Sequence, residues 1–168
     1  MQRRSLLALG ALSSVVLLVG GGSLAMLKPG LRDARLSEGG REVFAGAGRA
    51  LLDGSLPAGG AALDAALQGL LGRIDAVVAA LPPHAQSELS QLLAILSTAG
   101  GRRALAGLAE PWTSASLSDI QQALQEMRVS GLSLRQQAYQ ALHDIVGGAY
   151  FSDVQTWSLL GYPGPRAI

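Results

Sequence analysis

Seven apolar residues, Leu63, Leu67, Leu70, Leu71, Ile74, Val77 and Leu81, stand at offsets 0, 4, 7, 8, 11, 14 and 18 along the chain. Only a helix brings all of them to one side, and a helix carrying so long a stripe must bury it against other elements. Pro82-Pro83 ends the run, because proline has no N–H to continue the ladder.

The same spacing recurs on both sides of this segment. Upstream, Val43, Ala47, Ala50 and Leu51 share a face behind Ser37 as a cap, with Asp53-Gly54 and Pro57 as the stop. Downstream, Pro83 suits a first helical turn and Leu89, Leu92, Leu93 and Leu96 face inward until Gly100-Gly101 breaks the run. A short helix is expected from Arg102 to about Ala109, closed by Glu110-Pro111. Leu117, Ile120, Leu124 and Met127 follow behind Ser116 or Ser118. Ser133 with Gln136 reads as a capping box ahead of Leu134, Ala138, Ala141, Leu142, Ile145 and Ala149. No stretch of five or more residues alternates with period two. The expected fold is all-α: a compact bundle of five to six helices over residues 37–168, preceded by a linker at 28–36 and an N-terminal signal or anchor helix at 1–27, and ending in an irregular Pro/Gly tail.

The N-terminal segment carries its own signal. Arg3-Arg4 precede Ser5 to Leu27, a run of 23 uncharged positions. At about 1.5 Å per residue such a helix crosses the roughly 30 Å of a bilayer core. The string RRSLL, with Arg3, Arg4, Leu6 and Leu7, matches a twin-arginine export signal, although Gln2 stands where Ser or Thr is usual. Ser23-Leu24-Ala25 offers small residues for cleavage after Ala25. Cleavage to a periplasmic protein and retention as an inner-membrane anchor are both open on these residues, and in either case the arginines stay on the cytoplasmic side.

Charge and chemistry narrow the function by what is missing. Of thirteen basic residues two sit in the leader, leaving eleven against twelve acids, a balance without a nucleic-acid footprint. The chain has no cysteine, which excludes disulfides, thiolate metal sites, iron–sulfur clusters and covalent haem attachment. The histidines, His84 and His143, come without HExxH or HxH spacing, and a metal centre needs several converging ligands. Lys28 has no phosphate-binding loop around it, Gly46-Ala47-Gly48 lacks the third glycine of a dinucleotide fingerprint, and no GxSxG elbow occurs. Glu38 and Glu42 are neighbours on a helix surface. No catalytic, cofactor or metal residue is therefore assigned.

The aromatic residues are concentrated at the other end. They make up 4% of the chain, yet Tyr150, Phe151, Trp157 and Tyr162 fall within thirteen positions of AYFSDVQTWSLLGYPGPRAI. Ser152 can cap a short helix through Trp157 to Leu160. Phe151 and Trp157 are expected to point inward as structural anchors. Tyr162-Pro163-Gly164-Pro165 is a stiff turn that suits docking on another protein at low entropic cost.

With the leader, the segment RQQAYQALHDIVGGAYFSD and above all TWSLLGYPGP, the chain resembles the small (gamma) subunits of membrane-associated FAD-dependent dehydrogenases, the gluconate 2-dehydrogenase subunit 3 type. The likeness covers the leader and roughly residues 82 to 165, and its most specific part is Trp157, Gly161, Tyr162, Gly164 and Pro165. The resemblance implies a non-catalytic accessory subunit with no cofactor of its own. Its partner would be a large FAD-binding subunit of the glucose-methanol-choline (GMC) oxidoreductase class, matured and carried through the twin-arginine translocase to the periplasm. This chain departs from some relatives in having no cysteine for a covalent link. The alternative is an exported or membrane-anchored helical protein with no dehydrogenase partner.

Overall fold

The structure, a computed structural model, describes residues 27–161, without the side chains of residues 158–160. The export residues Arg3, Arg4, Leu6 and Leu7, the cleavage point at Ala25 and the tail residues Tyr162, Pro163, Gly164 and Pro165 lie outside the described residues.

The body is all-α apart from one small hairpin. Among the described residues six helices follow the hairpin: α1 (Glu38–Leu51), α2 (Gly60–Ala79), α3 (Pro83–Ser97), the single turn α4 (Ala99–Gly101), α5 (Leu117–Arg128) and α6 (Ser133–Phe151). A π-helical turn, Arg102–Ala106, continues α4, and a 3-10 helix, Val154–Leu160, follows α6.

Helix α1 is the centre of the bundle and packs against α2, α3, α5 and α6. Ser37 starts it, its Oγ accepting the Gly40 N–H at 3.3 Å. Val43, Phe44 and Ala47 are fully buried. Its glycines let neighbours come close: a Cβ on Gly48 would stand 2.7 Å from Leu70, and one on Gly46 would stand 3.0 Å from the Trp112 ring.

Along α2 the buried face is Leu70, Leu71, Ile74 and Val78, with Leu63, Leu67 and Val77 half-buried at its margin. The expected stripe is thus present from Leu70 onward, turned so that Val78 rather than Val77 points inward. In α3, Pro83 occupies the first turn and Leu89, Leu92, Leu93 and Leu96 are buried as expected.

Three local expectations are corrected. First, Gly100-Gly101 does not break α3; the chain turns two residues earlier, at Thr98, whose backbone is extended and whose Oγ1 accepts the Gly101 N–H at 3.0 Å. Gly101 is needed there for space, because a Cβ would run into the Ile95 carbonyl. Second, Ser133 does not form a capping box. The N–H groups of Arg135 and Gln136 go to the Leu132 carbonyl, and Gln136 Nε2 donates to Ser130 O at 2.7 Å. Third, residues 28–36 are not a linker. Leu31–Arg32 (β1) and Arg35–Leu36 (β2) pair antiparallel, with Leu31 opposite Leu36 and both buried in the core. Asp33 and Ala34 turn the chain with φ of 50° and 57°, the left-handed pair of a tight hairpin turn. The hairpin is tied to α3 through Leu31 N–H to Ser90 Oγ (3.1 Å) and to α2 through Leu36 N–H to Asp75 Oδ1 (2.8 Å). Asp75 Oδ2 also meets Arg41 at 3.0 Å.

Helix ends leave carbonyls without partners, and long side chains close several of them here. Trp112 Nε1–H donates to Leu96 O at the end of α3 (2.9 Å), and Gln86 Nε2 donates to Leu81 O just beyond α2 (2.9 Å). In the irregular stretch from the π turn to α5, Arg135 Nε reaches Leu105 O (2.7 Å), Arg102 reaches Ala109 O (3.1 Å) and Arg49 reaches Ala115 O (2.8 Å). Ser116 then caps α5, its Oγ accepting from Asp119 N–H at 3.1 Å.

Candidate docking face at the end of the bundle

The last turns of α6 and the 3-10 helix form one face around the C-terminal end of α1. Tyr150 is buried and its hydroxyl donates to Ser55 O at 3.1 Å, which joins α6 to the chain just past α1. Arg73 on α2 secures the same end from the other side. Its Nε donates to Ala149 O at 3.0 Å, and its guanidinium stands 3.2 Å from Asp153. A cation on a helix C-terminus is favourably placed against the dipole.

On this fixed base the aromatic residues divide in a way the sequence reading did not anticipate. Phe151 is not an inward anchor: it is 42% exposed and lies edge-on to Tyr150, with ring centres 5.2 Å apart. Trp157 is half-buried, with Nε1–H donating to Phe151 O at 2.8 Å, so it holds the 3-10 helix against the end of α6 without entering the middle of the core. Val154, one turn away, is 63% exposed. Among the described side chains of the 3-10 helix Thr156 is buried, its hydroxyl bonded to Tyr150 O and Asp153 O. Ser152 turns back to Ala149 O (2.8 Å) rather than capping, and Asp153 Oδ1 takes the Gln155 N–H instead.

The tryptophan that anchors the core is Trp112, 2% exposed between α1 and the end of α3. Sequence reasoning missed it because Glu110-Pro111-Trp112-Thr113 has no helical period. A lone large aromatic beside a proline in a short connection was the available signal.

Beside Phe151 a shallow groove of about 280 Å³ runs between α1 and α6, lined by Leu51, Leu52, Ser55, His143, Val146 and Gly147 together with the two aromatic rings. His143 sits at its rim, stacked on Tyr139 and 3.0 Å from the Asp144 carboxylate. His84 is exposed at the start of α3. Glu38 and Glu42 border a different depression at the opposite end of α1. Among the described residues no three His, Cys, Asp or Glu side chains are grouped to hold a metal ion, and no helix is long and apolar enough to cross a membrane.

The arrangement offers an apolar, aromatic face of fixed geometry leading directly to Gly161, where φ is +65°. Compared with protein-family models, with curated proteins and with solved structures, the chain matches none of them.

Proposed function

We propose that this chain is a non-catalytic accessory subunit that binds the large FAD-dependent subunit of a GMC-class dehydrogenase and carries it, folded, through the twin-arginine route to the periplasm. The family reading rests on the residues of the leader and of TWSLLGYPGP. The observation that carries docking is the exposure of Phe151 and Val154 on a helix end pinned by Tyr150 and Arg73. An aromatic ring presented on a rigid base loses little side-chain entropy when a partner covers it, which is how interface anchors gain their energy. In the sequence Tyr162-Pro163-Gly164-Pro165 follows Gly161, the last described residue, and forms the second part of the interface on this reading. FAD belongs to the partner on this reading.

The test is capture of a co-expressed large subunit by two variants, Phe151→Ala and a chain lacking residues 161–168. Phe151 is not a residue of the buried core, so Phe151→Ala should melt close to the parent, and a melting curve of the truncated chain is taken beside its capture to separate docking from folding. Loss of an aromatic anchor commonly costs 2 kcal/mol or more, so each should weaken capture by about thirtyfold. Unchanged capture by both would remove this face from the interface.

A further inference from the structure

We propose that a cavity between the end of α1 and the start of α2 binds a free α-amino acid with a large apolar side chain, its carboxylate on Arg49 and its ammonium on Asp53. The site lies apart from Phe151 and Val154 and is independent of the accessory-subunit reading.

Helix α2 comes close to α1 at Leu70, where a Cβ on Gly48 would stand 2.7 Å from the leucine. The first turns of α2, ahead of that contact, are mostly exposed. Between them, the connection after α1 and the first turn of α5 lies a cavity of about 530 Å³, against about 280 Å³ for the groove beside Phe151. Sites for small molecules fall in this size range, with mainly apolar walls and a few placed polar groups. Leu56, Pro57, Leu63 and Leu117 supply the apolar wall. Leu56 and Leu117 lean on the core, whereas Leu63 is half-buried without packing on it. The stripe of α2 thus opens with a leucine that lines the cavity.

Arg49 and Asp53 form the polar part of the lining. Arg49 is half-buried on the last turn of α1, and its Nη2 donates to Ala115 O at 2.8 Å. Its Nε is shut off from solvent without an acceptor, and among the described residues the guanidinium pairs with no carboxylate. A partly desolvated guanidinium without a counter-charge is best answered by a carboxylate, whose planar geometry matches its own. Asp53 is exposed, and its Oδ2 accepts from Gln121 Nε2 at 3.1 Å. Its Oδ1 has no donor among the described residues. An apolar acid answers Arg49 but is repelled by Asp53, and an apolar amine does the reverse. An α-amino acid carries both charges on one carbon and directs its side chain away from them, which suits a wall of leucines beside two opposite charges.

The experiment is titration of the full chain, held in detergent micelles and methyl-labelled at leucine, followed by nuclear magnetic resonance. The probes are L-phenylalanine, phenylpropanoate, which lacks the ammonium, and phenethylamine, which lacks the carboxylate. L-Phenylalanine should shift the methyl signals of Leu63 and Leu117 and leave those of Leu93 and Leu142, which are fully buried, in place. Each singly charged probe should bind at least about tenfold more weakly, since each leaves one charged group unanswered. Arg49→Gln should weaken L-phenylalanine by about tenfold and spare phenethylamine, and Asp53→Asn should weaken it and spare phenylpropanoate. Leu63→Trp fills the cavity from a residue outside the core, so it should melt as the parent does and bind no L-phenylalanine; this variant stands even where Arg49→Gln loosens the contact with Ala115. Equal binding of the three probes overturns the proposal. So does the absence of shifts at Leu63 and Leu117, or binding of L-phenylalanine by Leu63→Trp at the parent's affinity.

Discussion

Trp112→Ala should destabilise the body by about 3–5 kcal/mol, a large fraction of what a domain of this size has to lose. The ring is 2% exposed and packs on Gly46, where α1 has no side chain to move into the space. Its removal leaves a cavity and also strips the Leu96 carbonyl at the end of α3 of its donor. Trp112→Phe separates the two effects: most of the volume is kept, and the unpaired carbonyl alone should cost about 1–3 kcal/mol. Trp157→Ala removes a half-buried ring and should fall well below Trp112→Ala. Urea unfolding of the three variants gives the order, and a larger loss at Trp157 than at Trp112 would refute the assignment of the core tryptophan.

On the proposed carrier reading, changing Arg3 and Arg4 together to lysine should leave essentially all of the chain in the cytoplasm, with the flavin activity of the proposed partner beside it. Lysine preserves the positive charge that orients an apolar segment in a bilayer, but it lacks the planar, multidentate guanidinium. A general effect of charge would therefore survive the exchange, and recognition of the arginine pair would not. Activity staining of periplasmic and cytoplasmic fractions reads the outcome. Partner activity that still reaches the periplasm would end the carrier reading.

The helices were readable because their apolar residues recur every three or four positions and their boundaries carry chemistry that acts locally. Ser37, Ser116 and Pro83 each do what their side chains favour anywhere. The misreadings have a common origin in short segments held by distant partners. Leu31 and Leu36 look like stray apolar residues in a linker, since a two-residue strand has no period to detect and its stabilising partners, Ser90 and Asp75, lie 59 and 39 residues away. Gly100-Gly101 looks like a break, yet Gly101 answers to the crowding of Ile95 rather than to helix propensity. At the candidate docking face, the aromatic cluster was visible but its division was not. Phe151 lies beyond the last inward position of α6, so its ring is turned to solvent while Tyr150 takes the buried place. Which of two adjacent aromatics is buried depends on the phase of the helix at its final turn, where the sequence pattern is weakest.

The guanidinium groups over the stretch between the π turn and α5 give that stretch an uncommon thermodynamic character. A surface connection usually opens by itself at little free-energy cost, so its amides exchange with solvent long before those of the core. Here the carbonyls of Leu105 and Ala115 are held by arginines rooted in α6 and α1. Opening the stretch leaves those two guanidinium groups without their carbonyl partners and withdraws Trp112 from between α1 and the end of α3. It is therefore part of the bundle's cooperative unit, and its amide protection should rise and fall with global stability, whereas the exposed residues 57–59 ahead of α2 keep the fast exchange of an ordinary connection.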